Sequence, residues 1–296
     1  MADYIRRPEW LKLSPLDFRI LGPMRRLTHD LGLHTVCESA RCPNRTECFN
    51  RGTATFMILG DTCTRHCSFC GVKKGRPQEP DPHEPQHIAE AINTLKLSYA
   101  VITSVTRDDL PDGGASHFVQ TIRAIRNYNR AIMIEVLIPD FGGSRSALQD
   151  VVSSQPAVLN HNLETVPRLY PEVRPEAEYH RSLEVLSRGR LLDANLLTKS
   201  GIMLGLGESQ QEVVKLMIDL RQAGCDILTI GQYLPPSLEH HELARYVSPE
   251  EFSEYQSIGN YMGFVSVFSG PLVRSSFHAA EAYLLTTGKM SHGSGR

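Results

Sequence analysis

The chain has 296 residues, 41% hydrophobic and 22% charged, with a formal net charge of −2 and a pI near 6.6. That composition suits a globular protein of one large α/β domain or two small ones, and a near-neutral balance gives no reason to expect nucleic acid or a membrane surface as partner. Segment 1–13 holds Arg6 and Arg7 but no apolar run like a secretory signal, and no stretch approaches the ~20 apolar residues of a membrane helix, so the expected compartment is cytoplasmic. Seven cysteines, crowded mainly between Cys37 and Cys70, then favour metal ligation over disulfides.

Residues 1–52 contain Pro8, Pro15, Pro23 and Pro43 and lack long periodicity, which predicts an irregular N-terminal extension wrapped over a domain. It carries Cys37, Cys42 and Cys48, a Cys-x4-Cys-x5-Cys set one ligand short of four. From Thr53 the pattern changes. Apolar β-type runs at 53–59, 99–104, 131–138, 157–160, 196–204 and 227–230 alternate with helix-like stretches such as 85–97, 118–128, 177–187 and 210–223. Six alternations over 53–247 predict an α/β fold, a partial (β/α)6 TIM-type barrel whose active face lies at the strand C-termini.

Cys63, Cys67 and Cys70, spaced Cys-x3-Cys-x2-Cys, follow the first strand onto that face. Three thiolates with no fourth nearby leave one metal position open; the alternative is a closed zinc loop with His66 as fourth ligand, in a zinc-stabilised binding protein. Arg107, Asp108, Asp109, Asp112 and His117 surround Gly113-Gly114, either a solvated loop or a substrate mouth. His83, His87, His240 and His241 lack paired ligand spacing and are expected in solvent, while Cys225 is expected as a buried small hydrophobe. Past Val247, Ser248-Pro249-Glu250-Glu251 carries the cap, first-turn proline and capping-box signals of a helix start. Residues 248–296 form a C-terminal extension, with 290–296 expected to be disordered.

The spacing of Cys63, Cys67 and Cys70, with Phe69 before the last cysteine, resembles the radical S-adenosylmethionine (SAM) superfamily. The resemblance implies a four-iron (4Fe–4S) cluster whose free iron chelates SAM, Phe69 beside adenine, and a 5′-deoxyadenosyl radical after reductive cleavage. It also implies cofactor contacts from Thr103 and Ser104, from Asn160 and Asn162, and from Met203 and Glu208 in the pattern Gly201-x-Met203-x-Gly205-x-x-Glu208.

Adding the first triad and Arg274-Ser275-Ser276, the chain resembles the lipoyl synthase family over 37–44, 103–114, 160–170, 198–208, 231–234 and 270–276. By that resemblance Ser276 is the fourth ligand of an auxiliary 4Fe–4S cluster held by Cys37, Cys42 and Cys48. Phe277 stands where the family has tyrosine, and His240-His241-Glu242-Leu243 departs from a His-Leu-Pro-Val type segment. The implied activity is insertion of two sulfur atoms at C6 and C8 of an octanoyl-lysine, with two 4Fe–4S clusters and SAM as cofactors. The implied partners are an octanoylated lipoyl carrier domain, an electron donor protein and an iron–sulfur cluster carrier. Another dual-cluster sulfur-inserting enzyme, similar to biotin synthase, is the alternative within the superfamily.

Overall fold

The computed structural model describes residues 6–12, 16–39, 42, 44–51, 53–277 and 279–286. Seven parallel strands form its frame: β1 (Thr53–Ile58), β2 (Tyr99–Ser104), β3 (Met133–Leu137), β4 (Val158–Asn160), β5 (Leu197–Leu204), β6 (Ile227–Gln232) and β7 (Ser266–Gly270). Each pairs with the next in chain order. The sheet curls without closing, and at its first edge His34–Thr35 pairs antiparallel with β1. The principal crossover helices are α1 (Glu84–Thr94), α2 (Ala115–Tyr128), α3 (Arg145–Ser153), α4 (Tyr179–Leu192), α5 (Gln210–Gln222) and α6 (Pro249–Tyr261).

Covered on both faces, the strands read as almost unbroken apolar runs, and period-two alternation sorts their side chains. Ala54, Phe56, Ile58, Ala100, Ile102, Ile134 and Val136 face outward, packing with Ile88, Ile92, Phe118, Ile122 and Val151 of α1 to α3. Ile202, Leu204, Leu228 and Ile230 pack likewise with Val213, Leu216 and Leu220 of α5 and with Phe252 and Tyr255 of α6. Each valine, leucine, isoleucine or phenylalanine among them contributes about 1.5–3 kcal/mol of apolar burial. The intervening positions, Thr55, Met57, Thr103, Leu137, Gly201, Met203, Thr229 and Gly231, are left to face the interior and line a cavity.

Deeper in the barrel, Lys199 Nζ lies 3.0 and 3.2 Å from the two carboxylate oxygens of Glu135. Glu135 also accepts from Tyr99 Oη and Asn160 Nδ2, each at 2.9 Å. Beside this network, Ala279 and Tyr283 of the helix Ala279–Thr286 pack with Tyr99 and Val101 on the inward face. The last helix among the described residues therefore packs against the inward face of β2 and closes the barrel floor.

The structure corrects three expectations. Residues 18–30, expected to be irregular, form a helix capped by Asp17, whose carboxylate accepts from Arg19 N at 2.9 Å. Pro23 sits inside it as a tolerated breaker, while Leu21, Met24 and Thr28 supply the buried stripe that a proline-weighted reading passes over. The segment after Val247 does more than extend the domain, since its helix α6 feeds the seventh strand. Finally, α3 follows a Gly-Gly-Ser sequence and was not anticipated; Ser144 Oγ caps it by accepting from Ala147 N. Residues 290–296 lie outside the described residues. Among the described residues no helix is long and apolar enough to cross a membrane.

Candidate active site

At the strand C-termini a cavity of ≈ 520 Å³ is lined by all six clustered cysteines. Cys63, Cys67 and Cys70 lie on the loop after β1. Thr62–Cys63 pairs with Lys73–Lys74 as a short ribbon, and Thr106 N donates to Cys63 Sγ at 3.3 Å. Between the first two thiols, Arg65 is only 7% exposed and donates to Asp108 at 2.7 and 2.9 Å and to Asp140 at 2.6 Å. One guanidinium thus ties the cysteine loop to the loops after β2 and β3. Burial alone would raise the Asp140 carboxyl, but the Arg65 hydrogen bond and charge outweigh it and hold the group at about 2.

His66 is turned outward to Glu176, at 3.0 Å, and does not line the cavity, which removes the proposed fourth ligand of a zinc loop. His240 and His241 depart from the expectation of free solvent exposure. His240 Nε2 meets the Cys70 carbonyl at 3.2 Å, and the backbone N–H of His241 donates to Ser68 O at 2.9 Å, so both brace the cysteine loop. The Gly113-Gly114 loop residues serve locally: Arg107 pairs with Asp109, Asp112 accepts from the backbone N–H of Gly114 and Ser116, and His117 meets Glu84 at 2.7 Å. Cys225 is fully buried.

The other triad is assembled from both ends of the chain. Cys37 sits on the short helix Val36–Ser39, Cys42 N donates to Cys37 O, and Cys48 rides the helix Arg45–Asn50. Asn44 Nδ2 donates to Leu272 O at 2.6 Å, a contact spanning 228 residues. That carbonyl belongs to the arm that brings Arg274, Ser275, Ser276 and Phe277 to the same cavity wall. The arm crosses β6 at Gly231, where any Cβ would stand 2.1 Å from Val273 O, so only glycine admits this approach.

The opposite wall is polar. Ser104 Oγ, His161 Nε2 and Asn162 Oδ1 are buried without hydrogen-bond partners and belong to residues lining the cavity. Burial, and then the charge of Arg174, lowers the His161 imidazole to about 4, so it is neutral near pH 7 while Nδ1 bonds Ile138 O at 2.8 Å. Glu164, in left-handed backbone at φ 66°, receives Asn162 Nδ2 at 3.1 Å; burial raises its carboxyl, and Arg174 offsets only part of that. Arg174 donates to Asn162 O and Leu163 O.

Phe69, Thr103 and Met203 also line the cavity, Thr103 with its hydroxyl already donated to Leu137 O. Asn160 and Glu208 do not line it. Asn160 reaches Glu135 in the floor, and the Glu208 carboxylate accepts from Gly205 N at 2.7 Å and Leu206 N at 2.9 Å, fixing the turn after β5. His161, Glu164 and Arg174 were missed from sequence. Their shared position in the stretch following the fourth strand was the available signal, since they carry no motif spacing of their own.

The donor set fits iron–sulfur chemistry. Burial pushes the thiols of Cys37, Cys48 and Cys67 up to about 12 and that of Cys70 up to about 11, so each yields its proton only to a strong Lewis acid. Three soft donors around a roomy cavity, with polar acceptors unpaired across from them, suit a cluster that keeps one iron open. Fold and site together define a radical SAM enzyme, and residues 57–220 match the radical SAM superfamily. That class works with a 4Fe–4S cluster and SAM.

Solved structures of the same fold include methylornithine synthase (TM-score 0.56, 13% identity, 81% of this chain and 72% of that one). Coproporphyrinogen III oxidase from Escherichia coli is another (TM-score 0.52, 15% identity, 68% and 51%). Sequence relatives narrow the class. The chain is 54% identical to a lipoyl synthase of Caldanaerobacter subterraneus subsp. tengcongensis, covering 96% of this chain and 99% of the relative. It is 53% identical to one of Alkaliphilus metalliredigens (94% and 96%) and 54% identical to one of Aquifex aeolicus (92% and 98%). The chain belongs to the lipoyl synthase family.

Proposed function

We propose that the protein inserts two sulfur atoms at C6 and C8 of an octanoyl chain borne on a lysine of a lipoyl carrier domain. The observation that carries this reading is a single cavity walled by both thiol triads and by the arm containing Ser276. A substrate carbon held there is beside both centres, which turns radical formation and sulfur capture into steps within one complex.

In this reading Cys63, Cys67 and Cys70 hold one 4Fe–4S cluster, while Cys37, Cys42, Cys48 and Ser276 hold a second. When bound, the first cluster and SAM supply a 5′-deoxyadenosyl radical able to take hydrogen from an unactivated C–H bond. The second cluster is a substrate, giving up sulfide; each C–H bond lost is replaced by C–S, and two SAM molecules are consumed. Serine is a harder ligand than thiolate and a poorer match for iron, which suits a corner that must open. An electron donor protein and an iron–sulfur cluster carrier supply the electrons and restore the spent cluster.

The chain's own groups orient and shield. Phe69 and Met203 give adenine apolar walls, and Ser104, His161 and Asn162 offer their unpaired atoms to the donors of SAM, with Thr103 alongside. Glu164 and Arg174 face its charged amino-acid end. Asn160 acts from the floor and Glu208 through the turn it fixes. Val36, Met57, Val72 and Leu137 line the same cavity and keep water from the radical.

Anaerobic incubation with reductant, SAM and an octanoyl-lysyl peptide is expected to give a dithiol peptide heavier by two sulfurs, and by two sulfurs less two hydrogens once oxidised to the cyclic disulfide, read by mass spectrometry. Formation of 5′-deoxyadenosine with no sulfur on the peptide sinks the assignment.

A further inference from the structure

The chain's net charge is slightly negative, yet the rim beside the cysteine loop is not. Lys73 and Lys74 are exposed on the ribbon that follows Cys70, Arg76 is exposed just beyond it, and Lys74 reaches the cavity mouth. The neighbouring carboxylates are largely engaged: Asp108 with Arg65 and Asp109 with Arg107. Asp61 accepts from Thr62 Oγ1, and exposed Glu79 and Asp81 follow Arg76 in the chain, Asp81 accepting from His83 N. Lys73 feels Asp61 and Arg76 feels Asp109 at longer range, but among the described residues none of Lys73, Lys74 and Arg76 is within salt-bridge distance of a carboxylate.

A second loop completes the rim. Pro236 packs on Gly71, its Cβ 3.2 Å from where a side chain on Gly71 would begin, and His240 bonds the Cys70 carbonyl. That contact sets Pro235 and Pro236 at the mouth and leaves Leu238 projecting, 96% exposed. A large apolar side chain held out from the loop that packs on Gly71, together with exposed cations on the ribbon after Cys70, at the entrance to a reactive cavity, has the makeup of a docking face: charge for steering and register, one apolar anchor for dwell time.

We propose that the rim formed by Lys73, Lys74, Arg76 and Leu238 docks the folded carrier domain through an acidic surface around its acylated lysine. The assignment rests on the sulfur-insertion reading for the identity of the guest and on this surface for its charge. Acylation removes the cation of the target lysine itself, so carboxylates flanking it meet the rim without competition. Leu238 then covers an apolar spot on the docked domain while the octanoyl chain passes inward.

The test uses the full-length, cluster-loaded enzyme and an octanoylated carrier domain with acidic residues flanking its lysine, with direct binding measured by calorimetry beside KM and kcat. Lys73→Glu combined with Arg76→Glu is expected to weaken binding and raise KM about tenfold at low salt, leaving kcat unchanged. The difference should shrink toward none at ~1 M salt, where the Debye length is about 3 Å. A short uncharged octanoyl-lysyl peptide should be insensitive to both reversals. Leu238→Ser should weaken domain binding about threefold at every salt concentration. Unchanged binding of the acidic domain in the reversed variant, or equal loss for the uncharged peptide, overturns the proposal. Binding that responds as expected while no substrate gains sulfur keeps the docking face and discards the sulfur-insertion reading.

Discussion

The two thiol triads share a cavity but are built in opposite ways. Cys63, Cys67 and Cys70 occupy one loop at the end of a barrel strand, braced by Arg65 from within, by Thr106 from β2's loop and by His240 from β6's loop. Cys37 and Cys48 sit on two short helices outside the barrel with Cys42 on the link between them, and their side of the cavity is completed by an arm 228 residues distant through Asn44 and Leu272. One site is part of the scaffold and the other is a joint between chain ends. That difference is the one the proposed reading calls for, with a cofactor kept through many turnovers in the first site and a sulfur store that is opened in the second.

The largest effect should come from removing one thiol on each side. Cys63→Ala is expected to reduce 5′-deoxyadenosine formation to background, whereas Cys37→Ala should leave it within about twofold and abolish sulfur insertion, because the proposed reading assigns SAM cleavage to the first triad alone. Chromatography of the nucleoside beside mass spectrometry of the peptide reads both, and parallel loss of cleavage would erase the distinction.

A sharper cut leaves every proposed ligand residue unmutated. Gly231→Val would drive its side chain into Val273 O and displace the arm. Iron analysis should then find about four irons per chain rather than about eight, with SAM cleavage largely kept. Retention of both clusters in that variant would mean the arm is not needed to hold the second.

The smallest change probes the scaffold itself. Asp140→Asn strips a buried guanidinium of one partner and should destabilise the fold by about 3 kcal/mol in denaturant titration. The pH dependence has a definite sign: a carboxyl held below its ordinary value of 3.8, at about 2, stabilises the fold above 3.8 and loses that contribution as pH falls through about 2. The variant should therefore flatten the acid limb of the stability curve, and an unaltered limb would show that Asp140 adds nothing to the scaffold's hold.

Much of this contrast was legible in the sequence, for physical reasons that differ by element. The six expected strands are buried on both faces, so composition alone betrays them, and the cysteine spacings are local to loops whose chemistry needs no tertiary information. The N-terminal helix was hidden because Pro23 weighs heavily in any local reading, although the stripe at Leu21, Met24 and Thr28 was present. The seventh strand, Ser-Val-Phe-Ser-Gly, has a single fully apolar pair and depends on its neighbour β6 for register. Arg65, Asp108 and Asp140 could not be joined from sequence, since salt bridges across 43 and 75 residues follow only from the barrel's curvature. The roles of Glu208 and of His240 turn on where single side chains point, which motif spacing does not encode.

The joint between Asn44 and Leu272, followed by the helix that closes the barrel floor, also sets an order of events during biosynthesis. At roughly 5–20 residues per second the ribosome needs on the order of 10–50 seconds to pass from one partner to the other. Through that interval the first three thiols are exposed on a nascent chain with no arm to cover them, while the loop of Cys63 to Cys70 already has its first strand. Assembly of the second site is consequently a late step, and a chain truncated before Leu272 would keep the loop of Cys63 to Cys70 on its strand yet lack the arm that completes the wall beside Cys37, Cys42 and Cys48.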